Sequence, residues 1–168
     1  MKRRTLAAVA AVLALVLSLA APAAAHDIVG HNWGLNHVIC NGCSIGRGGV
    51  VGAWQNVLDG ENLLARSAID GVFGPVTANA TRNYQRRAGL TADGIVGPNT
   101  WTAGRVRLAL WSQNSTYEYW QYHRIAGGGS GQFFRRSKAT NTWAFLCFNY
   151  EATSHPTIGW SSGECALV

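Results

Sequence analysis

Lysine and carboxylates are scarce in this chain. Beyond Lys2 the only lysine is Lys138, and eight Asp and Glu are spread over 168 residues. Three of the fourteen cations, Lys2, Arg3 and Arg4, stand at the very start, so residues 26–168 carry a net charge of only about +3. So thin and scattered a charge gives mild attraction to anionic surfaces. It excludes a nucleic-acid partner, which needs Lys and Arg clustered on one face. Patterned histidines are also missing: there is no H-E-x-x-H and no H-x-H, the spacings on which a zinc peptidase or amidase would be built. After Asp93 the carboxylates are Glu118, Glu151 and Glu164, each isolated, which excludes an evident acid–base pair for glycoside hydrolysis there. Long apolar runs are absent apart from residues 6–21, and that run is shorter than the roughly 20 residues a spanning helix needs.

What is present begins with that run. Lys2-Arg3-Arg4, an apolar stretch from Leu6 to Ala21 broken only by Ser18, then Pro22 and Ala23-Ala24-Ala25 have the order of a secretory signal peptide with a small-x-small cleavage site before His26. Residues 1–25 are therefore expected to be removed, leaving a secreted protein, extracellular or wall-associated, with no membrane contact after cleavage.

All four cysteines, Cys40, Cys43, Cys147 and Cys165, lie beyond the signal, and an even number in an exported chain reads as two disulfides. Three pairings are open. Cys40–Cys43 with Cys147–Cys165 is favoured, because each pair closes a loop within one segment. The competing reading is metal: His31, His37, Cys40 and Cys43 offer four zinc-type ligands in a short stretch. An oxidising compartment weighs against free thiolates, so no metal and no cofactor is expected. The remaining histidines, His26, His123 and His155, are isolated.

Three stretches follow the signal. Residues 26–46, rich in Gly, Asn, His and Cys, read as an extended, disulfide-tied lead-in. Residues 47–110 carry helical periodicity, and residues 111–168 carry aromatics, Ser, Thr and Gly in the pattern of short strands and turns. The helical stretch contains a repeat: Asp70-Gly71-Val72-Phe73-Gly74-Pro75-Val76-Thr77 and Asp93-Gly94-Ile95-Val96-Gly97-Pro98-Asn99-Thr100 both read D-G-apolar-apolar-G-P-x-T. Asp-Gly makes a tight turn, the two apolar residues plug a core, and Gly-Pro starts a helix at the one position where a missing N–H costs nothing. After Pro75, Ala80, Tyr84 and Ala88 form an apolar stripe, and Gly89 caps the end. After Pro98, Trp101, Gly104 and Leu108 share a face. Upstream, Val51, Trp54 and Leu58 do the same, closed by Asp59-Gly60. Trp54 and Trp101 are expected in the core of a small three-helix bundle.

In these motifs the stretch from about Val50 to Arg107 resembles the type 1 peptidoglycan-binding domain family. The family's first helix, V-x2-L-Q-x2-L, is matched by Val51, Gln55 and Leu58, with Trp54 in place of Leu. Its D-G-x-F-G-x-x-T is matched by Asp70, Gly71, Phe73, Gly74 and Thr77. Its T-x2-A-V-x2-F-Q is matched by Thr77, Ala80 and Gln85, with Thr81 for Val and Tyr84 for Phe. Its closing G-L-x-x-D-G-x-x-G-x-x-T-W is matched by Gly89-Leu90, Asp93-Gly94, Gly97 and Thr100-Trp101. The resemblance implies a mainly α, three-helix module and, as its usual ligand, peptidoglycan. Polar Thr81 is expected at the edge of the bundle.

A wall ligand presents hydroxyls, N-acetyl groups and carboxylates, so amide and guanidinium donors must converge on it. Arg82, Gln85, Arg86 and Asn99 are the candidate contacts. Asp70 and Asp93 are expected to brace the turns. In the tail, Tyr117-x-Tyr119 and Trp143-x-Phe145-x-Cys147 alternate like half-buried strands, with Gly127–Gly131 as the turn, which predicts a small disulfide-tied β-hairpin packed on the helices. Its aromatics are expected to serve mainly as core, the sharper alternative being a second carbohydrate contact. The resulting expectation is a monomeric, non-catalytic, secreted wall-binding protein. Two alternatives stand beside it: a small secreted wall hydrolase or hydrolase subunit with catalytic groups in the tail, and a secreted interaction or inhibitor protein using the module as scaffold.

Overall fold

The computed structural model describes residues 28–29 and 32–145. A short strand β1 (Ile28–Val29) and a 3-10 turn (Trp33–Leu35) lead into three helices, α1 (Gly49–Gly60), α2 (Pro75–Arg87) and α3 (Pro98–Arg105). Four strands follow: β2 (Leu108–Gln113), β3 (Tyr117–His123), β4 (Gly129–Ser137) and β5 (Thr142–Phe145). The sheet is antiparallel in the order β1-β5-β4-β3-β2. Helices and sheet share the fold in comparable amounts, so the mainly α expectation gives way to an α+β arrangement, and the expected hairpin is a four-stranded meander to which the lead-in adds a fifth strand.

Helix α1 is central. Val50, Val51, Ala53, Trp54, Val57 and Leu58 are all buried, and Gln55 and Asn56 are buried with them. An all-round buried helix is what a segment enclosed by other elements requires. It runs through Gly60 and turns over at Asn62, whose φ of 57° is left-handed. The turn comes two residues later than the Asp59-Gly60 pair suggested. Helices α2 and α3 start at Pro75 and Pro98 as expected. Helix α2 ends against Gly89, at φ +70°, with the Leu90 N–H donating to the Gln85 carbonyl at 2.8 Å. Leu108 is buried but belongs to β2, not to a helical face with Trp101, because α3 stops at Arg105.

Two of the three departures from the family pattern, Trp54 and Thr81, answer one another. Trp54 is fully buried, and its indole N–H donates to Thr81 Oγ1 at 2.9 Å. Thr81 is buried too, rather than at the edge, and donates in turn to the Thr77 carbonyl at 2.8 Å. A buried indole needs an acceptor, and Val at position 81 could not supply one. Gly104 makes the room: a Cβ there would lie 3.3 Å from Trp54 Cζ3.

The lead-in does more than precede the module. Its backbone straps both turns of the repeat. Gly48 N–H and Gly46 C=O bond to Gly71 and Phe73 at 2.9 and 2.8 Å, while Ile39 and Val96 exchange hydrogen bonds at 3.0 and 3.3 Å. Cys40 and Cys43 are disulfide-bonded between the two straps. The bond takes two thiolates out of the zinc-type set, while His31, Cys147 and Cys165 lie outside the described residues. Trp33, which the sequence pattern did not single out, is fully buried where helices and sheet meet. Its ring lies 6.0 Å from Trp101, 5.4 Å from Phe134 and 5.5 Å from Trp143, all edge-on.

Register divides the aromatic side chains of the sheet. Leu108–Tyr122, Trp120–Phe134 and Phe134–Phe145 are directly opposed. With Trp143, this set faces the helices, where Tyr122, Phe134, Trp143 and Phe145 are buried. Arg105, from the end of α3, lies 4.6 Å over the Trp120 ring and 5.4 Å over Trp143, closing that layer.

Candidate functional site

The repeat folds into two matching clamps. In the first, Gln55 of α1 donates through Nε2 to Asp70 Oδ1 (2.8 Å), the Val72 carbonyl (3.1 Å) and Thr77 Oγ1 (3.1 Å), and accepts through Oε1 from Gly71 N (2.8 Å). In the second, Gln85 of α2 donates to Asp93 Oδ1 (2.7 Å), the Ile95 carbonyl (2.9 Å) and Thr100 Oγ1 (3.2 Å), and accepts from Gly94 N (2.8 Å). Each Asp also accepts from the N–H two residues on, Val72 or Ile95, at 2.8 Å. Asp70 and Asp93 thus brace their turns.

The same geometry removes Gln85 from the set of ligand contacts. It is 1% exposed, and its amide is spent on the clamp. Gln85 follows the core residue Tyr84 into the interior, where its amide is a buried brace.

Asp70 carries a pH signature. Hydrogen bonds from the Gln55 amide and then from the Val72 N–H hold its carboxyl below the ordinary value of 3.8. A depressed folded-state pKa contributes stability above the unfolded value, and that stability is lost as pH falls through the folded one. Wild-type stability should therefore fall on acidification below pH 3.8. An Asp70→Asn variant should show a shallower fall across that window in urea titrations at stepped pH. Parallel curves would contradict this reading.

Arg82 and Arg86 do come together. With Asn79 and Asn83 they form one stripe along the outer face of α2, at i, i+3, i+4 and i+7. Arg82 Nη1 donates to Asn79 Oδ1 at 3.3 Å, and Arg86 Nη1 to Asn83 Oδ1 at 2.7 Å. The Arg82 guanidinium also lies over Gly94, where a Cβ would meet its Cζ at 3.0 Å, so the stripe borders the second turn. Asn99 is exposed at the second residue of α3. Asn83 was missed, although its four-residue offset from Asn79 repeats that of Arg86 from Arg82.

A second polar cluster joins the end of α1 to the sheet, and nothing in the sequence announced it. Glu61 is 1% exposed. Its Oε1 accepts from the Tyr122 hydroxyl at 2.9 Å and from Ile125 N at 2.8 Å, and its carboxylate pairs with Arg87 at 3.6 Å. Arg124 donates to the Gly60 carbonyl at 2.8 Å, and Gln132 to Asp59, which also pairs with Arg66 at 3.3 Å. Burial raises the Asp59 carboxyl despite Arg66, and pushes the Tyr84 phenol up to about 12. Carboxylates so enclosed act as a joint. Among the described residues no group of three or more His, Cys, Asp or Glu converges as a metal site, and no helix is long and apolar enough to cross a membrane.

The structure thus defines a clamped two-turn helical module, with an amide–guanidinium stripe along α2, joined to an antiparallel sheet. Residues 47–103, about a third of the chain, match the model of the family described as putative peptidoglycan binding domain. The chain is 42% identical over 52 residues to an uncharacterized protein in the bpoA1 3' region of Kitasatospora aureofaciens, covering 31% of this chain and 41% of that protein. It is 56% identical over 36 residues to a zinc D-Ala-D-Ala carboxypeptidase of Streptomyces albus G, covering 21% of this chain and 14% of the enzyme. The chain thus spans less than half the length of the curated relatives it matches. No solved structure matches it.

Proposed function

We propose that this is an exported protein that holds peptidoglycan without cutting it, using the Asn79–Arg82–Asn83–Arg86 stripe together with Asn99. The single observation that carries the reading is the family match over residues 47–103, where that stripe is the exposed polar face of α2. Guanidinium groups suit the carboxylates of stem peptides, and the asparagines suit acetamido and hydroxyl groups. Export rests on residues 1–25, with their basic start, apolar run and A-x-A end. The absence of a patterned catalytic set in the sequence supports binding alone.

Co-sedimentation with insoluble peptidoglycan, with turbidity followed in the same tube, tests this. The wild-type chain should pellet while turbidity stays constant. An Arg82→Ala/Arg86→Ala variant should bind about tenfold more weakly, the equivalent of roughly one charge-assisted hydrogen bond. Falling turbidity would favour a wall hydrolase instead, and equal pelleting by the variant would move the site off α2.

A further inference from the structure

One short arch of the lead-in joins the straps on the two turns of the repeat. At one end Ile39 is fully buried and exchanges backbone hydrogen bonds with Val96, in the second turn. At the other end Ile45 packs on the core, the Gly46 carbonyl accepts from Phe73 N–H at 2.8 Å, and Gly48 N–H donates to the Gly71 carbonyl at 2.9 Å, in the first turn. Between these anchors, residues 40–44 make a tight turn. Cys43 N–H donates to the Cys40 carbonyl at 3.3 Å, and Gly42 stands at φ +89°. A glycine at the third position of such a turn supplies the positive φ that a side chain resists. The disulfide joins the first and fourth residues of this same turn, whose Cα atoms are 5.1 Å apart.

Three features suit this bond to opening and closing on a folded chain. It is reachable, since Asn41, Gly42 and Ser44 are exposed and both cysteines are only partly buried; accessible disulfides are the ones that exchange. Its ring is small, and a bond across so few residues restricts the unfolded chain far less than one across a long loop. The buried core of Trp33, Trp54 and Trp101 therefore does not depend on it. Finally, Gly42 and the 3.3 Å hydrogen bond favour the turn without it, so the two thiols stay neighbours after reduction and reclosure is intramolecular. What changes on opening is the arch. With the sulfurs joined, the Ile39 and Ile45 anchors are held at a fixed spacing. With the sulfurs apart, slack enters between the straps.

We infer that Cys40–Cys43 is a reversible thiol–disulfide exchange site, and that its reduction by a dithiol slackens the straps on both clamped turns while the helical core stays folded. A thiolate of the dithiol attacks one cysteine sulfur. The Cys40–Cys43 bond breaks, a mixed disulfide forms, and the other cysteine leaves as a thiolate. The second sulfur of the dithiol then attacks its own partner sulfur in the mixed disulfide, closing the dithiol's disulfide and releasing the second cysteine. Two electrons pass from the dithiol to the pair, and its two protons end on Cys40 and Cys43. The inference concerns the straps alone and stands whether or not the α2 stripe holds peptidoglycan.

The test equilibrates the full chain with mixtures of dithiothreitol and its oxidised form and caps free thiols with iodoacetamide. Each cysteine is read by peptide mass spectrometry, and backbone amides by hydrogen exchange. Cys40 and Cys43 should become labelled while near-UV circular dichroism still reports a folded core. On their reduction the Ile39, Gly48, Phe73 and Val96 amides should exchange about tenfold faster, as local opening becomes easier, and removing the reductant should reverse both changes. The Gly71 and Gly94 amides, held by Gln55 and Gln85, should keep their protection. Cys40→Ser/Cys43→Ser should show the fast strap exchange without reductant, which assigns the effect to this pair rather than to Cys147 or Cys165. Should that variant lower Tm, Gly42→Ala gives an independent reading. An added Cβ there meets nothing within 4 Å, so it acts through the positive φ, and it should shift the equilibrium toward the dithiol about fivefold. Labelling of Cys40 and Cys43 that appears only with global unfolding overturns the inference. So does equal strap exchange in the oxidised and reduced chains, or a Gly42→Ala equilibrium the same as that of the wild type.

Discussion

Replacing Trp33 by Ala should destabilise the fold by about 4 kcal/mol, the scale of deleting a fully buried large aromatic. The residue is 0% exposed and edge-packed on Trp101 of α3, Phe134 of β4 and Trp143 of β5. Those rings come from three elements that cannot all close on one hole, so relaxation should recover little of the loss. Edge-to-face ring pairs add about 0.5–1.5 kcal/mol each beyond burial, and here there are three. Guanidinium unfolding followed by near-UV circular dichroism checks the value. A loss below about 1.5 kcal/mol, well under the usual range for such truncations, would mean that the lead-in merely lies on the core.

Glu61→Ala should cost about 2–4 kcal/mol, because the Tyr122 hydroxyl and the Ile125 N–H lose their acceptor, while the half-exposed Arg87 is left to water. Glu61→Gln keeps an acceptor at Oε1 and should lose less, which separates the hydrogen bonds from the charge. A double-mutant cycle with Tyr122→Phe should show coupling of about 1 kcal/mol or more. If Glu61→Ala were neutral, the α1–sheet joint would be held by the apolar layer alone.

The helical half was legible because its signals are local. Asp-Gly turns, Gly-Pro helix starts and a Gly89 cap each act within a few residues, and the repeat stated the unit twice. The clamps were half legible. The D-G-x-x-G-P-x-T motif marks the turn, but the Gln that holds it comes from the preceding helix, 15 residues before Asp70 and 8 before Asp93. Such a partner resembles any helical polar residue until the fold is known, which is how Gln85 came to be read as a ligand contact. The meander was harder still. Strands short enough to read as one hairpin, and a lead-in with no periodicity, reveal their pairing only across long sequence separations, as when Ile28 meets Trp143. Glu61 and Trp33 owe their importance to what surrounds them, and neither stands in a pattern. Of the α2 stripe, the arginines and Asn79 were visible and Asn83 was not, since amide–guanidinium pairing becomes evident only once the helix face is fixed.

The clamps also give the chain a direction. Helix α1 supplies the glutamine that fixes the start of α2, and α2 supplies the one that fixes the start of α3, so each helix is dependent on its predecessor for its axial setting. The residue ten places after Pro75 is Gln85, and the residue ten places after Pro98 is Leu108. Leu108 has no amide to hand forward. Helix α3 stops at Arg105, short of the place that Gln85 holds on α2, so it hands no clamp forward and the chain passes into β2. The two halves of the protein meet where the handing-on of one glutamine ends.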